Sequence, residues 1–123
     1  MIINSIKWME FAIKRLFASV FAVFSLLFAG APLASDTPTF EIVIKDHKFT
    51  PATLDIPANK KVKLIVKNQD PTPEEFESYE LNREKVIPGN SQAIIFIGPL
   101  DPGTYPFFGE FNQATAQGKI VAK

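Results

Sequence analysis

From Phe40 to the C-terminus the chain alternates short apolar runs with turn residues. FEIVIK (Phe40–Lys45) interleaves charged positions with Phe40, Val43 and two isoleucines, and KVKLIVK (Lys61–Lys67) keeps the two-residue period more strictly. Both read as strands with one buried face. AIIFI (Ala93–Ile97) is continuously apolar and stops at Gly98-Pro99, the pattern of a buried sandwich strand. Tyr105–Phe108 and Lys119–Ala122 add two more, and the proline-bracketed Phe49–Ile56 reads as an edge strand. Turn chemistry falls at Pro57–Asn59, Asp70–Pro73, Pro88–Asn90 and Asp101–Gly103. No long amphipathic helix, internal repeat or low-complexity tract interrupts the series. Short strands at this spacing predict an all-β, two-sheet antiparallel sandwich.

The first third is patterned differently. Met1–Arg15 carries Lys7, Lys14 and Arg15 against Glu10, Leu16–Ala29 (LFASVFAVFSLLFA) is apolar apart from two serines, and GAPLAS follows. Basic, apolar, then small is the order of a secretory signal peptide. The apolar run falls short of the roughly 20 residues that span a bilayer core, which favours cleavage and export over anchoring. The expected cut follows Ala34, with Pro32 standing where an A-x-A site has its first alanine, and Met9 offers a second start. The chain then divides into a signal peptide over residues 1–34 and one exported domain over residues 35–123.

That domain holds 10 Lys and Arg against 12 Asp and Glu, a net charge of −2. The balance argues against nucleic acid as a partner and, once the signal peptide is removed, against lipid binding. With no cysteine, the small domain must be held by packing alone. Both methionines and the single tryptophan fall in the leader, so the domain has no thiolate or thioether, and His47 is its only imidazole. There is no GxSxG turn to pair with that histidine, no GxxxxGK loop and no dinucleotide-binding glycine pattern. A sandwich this small also leaves little room for a sugar cleft between paired carboxylates. An ordinary hydrolase is not indicated.

One concentration of chemistry remains. Glu74, Glu75, Glu77, Glu80 and Glu84 fall within eleven residues, and Glu110 follows in a later loop. Extended backbone sets Glu75, Glu77 and Tyr79 on one face, with Phe76 and Ser78 on the other. Carboxylates, with His47 as a further ligand, suit iron or manganese, and Cu(II) as well. The plainer interpretation of glutamates beside Arg83 and Lys85 is a solvated acidic face. By the same standard His47 is a turn residue between Asp46 and Lys48, and Phe107, Phe108 and Phe111 serve core packing and loop anchoring. Gly109 reads as a point of close backbone passage and Gly118 as a bulge or turn before the last strand.

The succession FTPATLDIPANKKVKLIVKNQD, VIPGNS, GPLDPGTYPFF and GKIVAK resembles the cupredoxin fold, a Greek-key β-sandwich, over nearly all of residues 35–123. IKDHKFTP, NQDPTPEEFESYELNREKVIPG and YPFFGEFNQATAQG are most similar to cupredoxin-like periplasmic proteins found with bacterial iron permease systems. By that resemblance, copper-ligating histidines would fall at Glu74 or Glu75 and near Asn112, the cysteine near Gly109 and the methionine near Thr115. None of these ligand types is present, which excludes a type 1 blue copper centre, and Asn112 reads as a lost histidine. The two loops meet at one end of this fold. The resemblance implies a periplasmic metal-handling accessory rather than an enzyme, with an auxiliary part in ferrous iron oxidation at most. It would bind an iron or copper ion through Glu75, Glu77, Glu110 and His47. Its partner would be an inner-membrane iron permease or a periplasmic redox or metal-handling protein. The alternative is a metal-free interaction module that docks onto a membrane partner through the same acidic and aromatic loop end.

Overall fold

The computed structural model describes residues 37–123; the signal peptide expected over residues 1–34 lies outside the described residues. Strands follow in the order β1 (Thr39–Lys45), β2 (Lys48–Thr50), β3 (Thr53–Ile56), β4 (Val62–Asn68), β5 (Glu74–Ser78), β6 (Arg83–Ile87), β7 (Ser91–Ile97) and β8 (Gly103–Gly109). A 3₁₀ turn, Glu110–Asn112, then leads to β9 (Gln117–Ala122). A four-stranded sheet, β2-β1-β4-β7, faces a five-stranded sheet, β3-β9-β8-β5-β6. Among the described residues no helix is long and apolar enough to cross a membrane.

The expected two-sheet all-β sandwich is present, with differences in its wiring. Phe49–Ile56 is two strands: β2 pairs with β1 in the first sheet, and β3 crosses to pair with β9 in the second. That crossing makes β1·β4 and β3·β9 parallel, so the sheets are mixed rather than purely antiparallel. Glu74–Ser78 and Arg83–Ile87 form an antiparallel hairpin; Arg83–Ile87 escapes notice in the sequence because only Ile87 is buried. AIIFI is not buried on both sides: β7 is an edge strand, and Ile94 and Phe96 are 48% and 45% exposed.

Alternation builds the core. Ile42, Ile44, Val62, Leu64, Val66, Ile95 and Ile97 point inward from one sheet, and Ile56, Phe76, Ile87, Phe107 and Ile120 from the other. Phe107 stacks on Phe76 with ring centroids 5.0 Å apart, and Phe49 meets Phe107 edge-on, also at 5.0 Å. Gly118 lies within β9, where an added Cβ would stand 2.4 Å from the Phe107 ring; it makes room for that aromatic rather than a turn. Asp36–Lys123 forms one compact unit containing both sheets and the core residues named above.

The loop end is tied by Asn68 and Asp70. Buried Asn68 donates from Nδ2 to the carbonyls of Thr72 (2.8 Å), Ile87 (3.1 Å) and Pro88 (3.3 Å), and its Oδ1 accepts the Asp70 N–H at 3.0 Å. Asp70 reaches the two-residue β1–β2 turn, where Asp46 and His47 both have positive φ, 53° and 56°, as a type I′ hairpin requires. Their N–H groups donate to its carboxylate at 2.8 and 3.0 Å. The bond from the His47 N–H, with that from Asp46 and the nearby His47 and Lys45 charges, holds the Asp70 carboxyl below its ordinary value against the effect of burial. Asp70→Ala is expected to lower stability at pH 7 by about 3–6 kcal/mol, the value of two hydrogen bonds to a charged acceptor at about 1.5–3 kcal/mol each. A depressed carboxyl contributes in full above its ordinary pKa of 3.8 and loses its contribution as pH falls through the lower folded value. Urea unfolding at neutral pH and in strong acid should therefore show the two proteins converging in acid.

Candidate functional site

Strand β5 carries a carboxylate on each side of its pleat. Glu74, Phe76 and Ser78 face the interior, each at most 1% exposed, while Glu75 and Glu77 face outward. The Glu74 carboxylate reaches the turn after β8. One oxygen accepts the N–H groups of Glu75 (3.0 Å) and Phe111 (2.9 Å), and the other accepts the Asn112 Nδ2 at 2.7 Å. Ser78, at the other end of β5, donates to the Pro106 carbonyl at 2.6 Å. A Cβ on Gly109 would lie 2.6 Å from Glu74 Cδ and 2.7 Å from Ala116 Cβ, so this glycine makes room for the inward carboxylate.

These contacts decide whether copper fits where the resemblance would seat it. Of Glu74 and Glu75, it is Glu74 that turns inward, and its carboxylate fills the space between Gly109 and Asn112. The donor set contains no sulfur, a side chain at position 109 is blocked, and Asn112 is engaged with Glu74. A blue copper centre does not fit these residues. Glu74 is not one of the four ligands expected from the sequence, although strand parity marks it as inward: it shares its face with Phe76 and Ser78.

The outward carboxylates form a separate group. Glu77 stands directly opposite Glu84 across the β5–β6 ladder, an arrangement that like charges disfavour. Glu75 is only 8% exposed. Its carboxyl shares a hydrogen bond with Glu84, and this bond, followed by burial and the charges of Glu84, Glu77 and Glu110, raises its pKa to about 7. Burial is the largest influence on Glu77; a hydrogen bond shared with Glu110 and the charges of Glu110 and Glu84 raise its carboxyl further. The negative charge of Glu77 in turn raises the Tyr79 hydroxyl, helped by burial and the neighbouring glutamates. Glu75, Glu77 and Glu110 thus lie within electrostatic reach of one another, and the hairpin register adds Glu84. His47 sits in the β1–β2 turn of the other sheet, its Nδ1 3.6 Å from Asp70. Among the described residues no three acidic, histidine or cysteine side chains are set to hold one metal ion as they stand.

Aromatic side chains border the acidic group. Tyr79 is 73% exposed and Phe111 50%. Tyr79 and Phe108 meet with centroids 5.5 Å apart, beside a groove of about 330 Å³ also lined by Pro106, Gln113 and Gln117. Phe107 alone of the three loop-end phenylalanines is a core residue.

A family model for the cupredoxin-like domain matches residues 16–122, and the chain belongs to that family. Protein RP394 of Rickettsia prowazekii (strain Madrid E) is 48% identical over 81 residues, covering 66% of this chain and 65% of that protein. Among solved structures, auracyanin A, a blue copper protein from Chloroflexus aurantiacus, is similar with a TM-score of 0.62 at 15% identity, over 72% of this chain and all of that one. The metal-binding domain of the Cu(I)-exporting P-type ATPase CopA of Streptococcus pneumoniae D39 gives 0.62 at 15% identity, covering 76% of this chain and 92% of that domain. Amicyanin from Paracoccus versutus gives 0.52 at 16%, over 77% and 87%. At these identities the likeness is one of fold.

Two measurements probe the geometry. Gly109→Ala should destabilise the domain by about 1–3 kcal/mol in urea unfolding, the usual range for overfilling a packed site. Glu84→Gln replaces the carboxyl that shares a proton with Glu75 by an amide that can donate to it, so the Glu75 pKa should fall from about 7 toward 4.5, read by ¹³C carboxyl shifts. Because a raised carboxyl stabilises the fold below its ordinary pKa and loses that contribution as pH rises through the folded value, the variant should also show a flatter stability profile between those two pH values.

Proposed function

We propose that this domain is a periplasmic metal-handling accessory that carries an iron or copper ion, as cargo, to an inner-membrane iron uptake system. The ion would be held on the outer face formed by Glu75, Glu77, Glu84 and Glu110, away from the interior position blocked by Glu74. One observation supports this most: Glu77 stands directly opposite Glu84 across the β5–β6 ladder, on the same outer face as Glu75, and nearness within the pairs Glu75–Glu84 and Glu77–Glu110 raises the Glu75 and Glu77 carboxyls. Among the described residues none of the four is ion-paired with a basic side chain. A hard cation would relieve the repulsion among these carboxyls and would displace any proton they hold as it binds. An ion would be met first by one pair and would draw in the other. These residues support delivery; ferrous iron oxidation would require a redox partner.

The exposed Tyr79 and Phe111 beside the same carboxylates favour a second interpretation, a metal-free docking module for a membrane partner. Calorimetric titration separates the two. The domain over residues 36–123, stripped with chelator, is expected to bind Fe(II) under anaerobic conditions or Cu(II) saturably at one site. Binding should weaken as pH falls through about 7 and be lost in Glu75→Gln/Glu77→Gln. No saturable binding of either ion would reject the metal-carrying role and leave the docking module.

A further inference from the structure

Charge on this domain is unevenly divided between the two sheets. On the outer side of the four-stranded sheet, β4 presents Lys63, Ile65 and Lys67, because Val62, Leu64, Val66 and Asn68 are buried. Lys61, just before that strand, reaches the same side, with Nζ 4.6 Å from the centroid of the Phe96 ring. The neighbouring edge strand presents Ile94 opposite Ile65 and Phe96 opposite Lys63, with Ile94 48% and Phe96 45% exposed. Strand β1 adds Glu41, Val43 and Lys45, and β2 adds Lys48, since Ile42, Ile44 and Phe49 are the buried members. Glu41 is engaged by Lys67 at 2.8 Å. The opposite side of the sandwich carries the four glutamates. Lys119 also faces outward on that side, and Asp46 lies in the turn between Lys45 and Lys48, so near-neutrality of the whole domain conceals one mainly basic, apolar side and one mainly acidic side.

We propose that the outer face of the four-stranded sheet docks the domain onto an anionic phospholipid bilayer. Phe96, Ile94 and Ile65 enter the interfacial layer, and Lys61, Lys63, Lys45 and Lys48 reach the headgroups. Charge complementarity carries the choice of partner: apolar side chains surrounded by lysines are the composition of an interfacial membrane contact. Long lysine stems can lie along the apolar surface while their ammonium groups meet phosphate. The three apolar residues lie side by side on adjacent strands, so they form a surface and not a slot for a peptide. The same bilayer repels the glutamate side, so the two faces together select one orientation. This inference does not depend on metal binding, and it departs from the expectation of no lipid contact, which rested on the charge summed over the domain.

The test is flotation of the domain over residues 36–123 with vesicles of phosphatidylcholine alone and of equimolar phosphatidylcholine and phosphatidylglycerol. Partition to the anionic vesicles only is expected, weakening as salt rises from about 0.1 to about 0.5 M. Lys61→Gln/Lys63→Gln should lower it about 30-fold, and Phe96→Ser should lower it with an unchanged circular dichroism spectrum. Glu75→Gln/Glu77→Gln should leave it intact. Failure to float with anionic vesicles, or flotation indifferent to the lysine variant, would overturn the proposal. Retention on immobilised polyglutamate without vesicle binding would assign the face to an acidic protein and overturn it. Self-association in sedimentation velocity, lost in both the lysine and the glutamate variants and unaccompanied by vesicle binding, would assign the face to a second copy and equally overturn it.

Discussion

The buried carboxylate of Glu74 is the interaction on which the loop end of this domain depends. A carboxylate in a protein interior is tolerated when donors surround it, and here three converge from β5 and the turn after β8. The bonds fix the Glu110–Asn112 turn against the start of β5, and with it the carboxyl of Glu110 beside that of Glu77. They also hold the register of β5. A slip of one residue would turn Glu75 and Glu77 into the core and Phe76 out of it, and Glu74 would lose all three partners. The inward glutamate thus shapes the outward group although it belongs to the other side of the pleat.

Local pattern reveals a good part of this. The two-residue period of KVKLIVK shows which side chains of β4 point inward, and the parity of EEFES fixes which glutamates share a face. What escapes local pattern is non-local. A continuous apolar run such as AIIFI does not say whether a strand lies at the edge, and the exposed Ile94 and Phe96 follow from β7 having a neighbour on one side only. Glu84 joins the acidic group through hairpin register, and nothing in REKVI marks it as a strand. His47 is set by Asp70, 23 residues away, a partner invisible to a scan for ligands. The crossing of the chain between Thr50 and Thr53, which makes two strand pairs parallel, likewise depends on what each half meets after it has left the other.

Membership of the cupredoxin-like family and the nature of the site are different matters here, as fold and function commonly are. The structural neighbours include proteins described as holding copper, and this chain shares their sandwich. Its interior loop-end position is instead closed by a hydrogen-bonded carboxylate over a glycine. The like charges that lack a basic partner lie instead on the outer sheet surface, where Glu77 faces Glu84 and the crowding raises the Glu75 and Glu77 carboxyls. A cavity lined by imidazole and thiolate selects soft ions, whereas a surface of glutamates selects hard ones and is sensitive to pH.

Strand alternation also explains why the net charge of −2 describes the domain poorly. Each strand assigns its odd and even residues to opposite sides, so a sandwich can collect lysines on one outer face and glutamates on the other without any shift in composition. Packed sheets stand about 10 Å apart, and outward side chains add several ångströms on each side. Exposed charges on the two faces are therefore separated by more than the roughly 8 Å screening length at physiological ionic strength. An approaching ion, bilayer or protein meets one face at a time and responds to the local sign. The lysines around Ile94 and Phe96 and the glutamates around Tyr79 act as two independent surfaces, and a partner that bridges both has to reach around the edge formed by β6 and β7. There Arg83 already spans the gap between the sheets, donating from Nε to the Phe96 carbonyl at 2.9 Å.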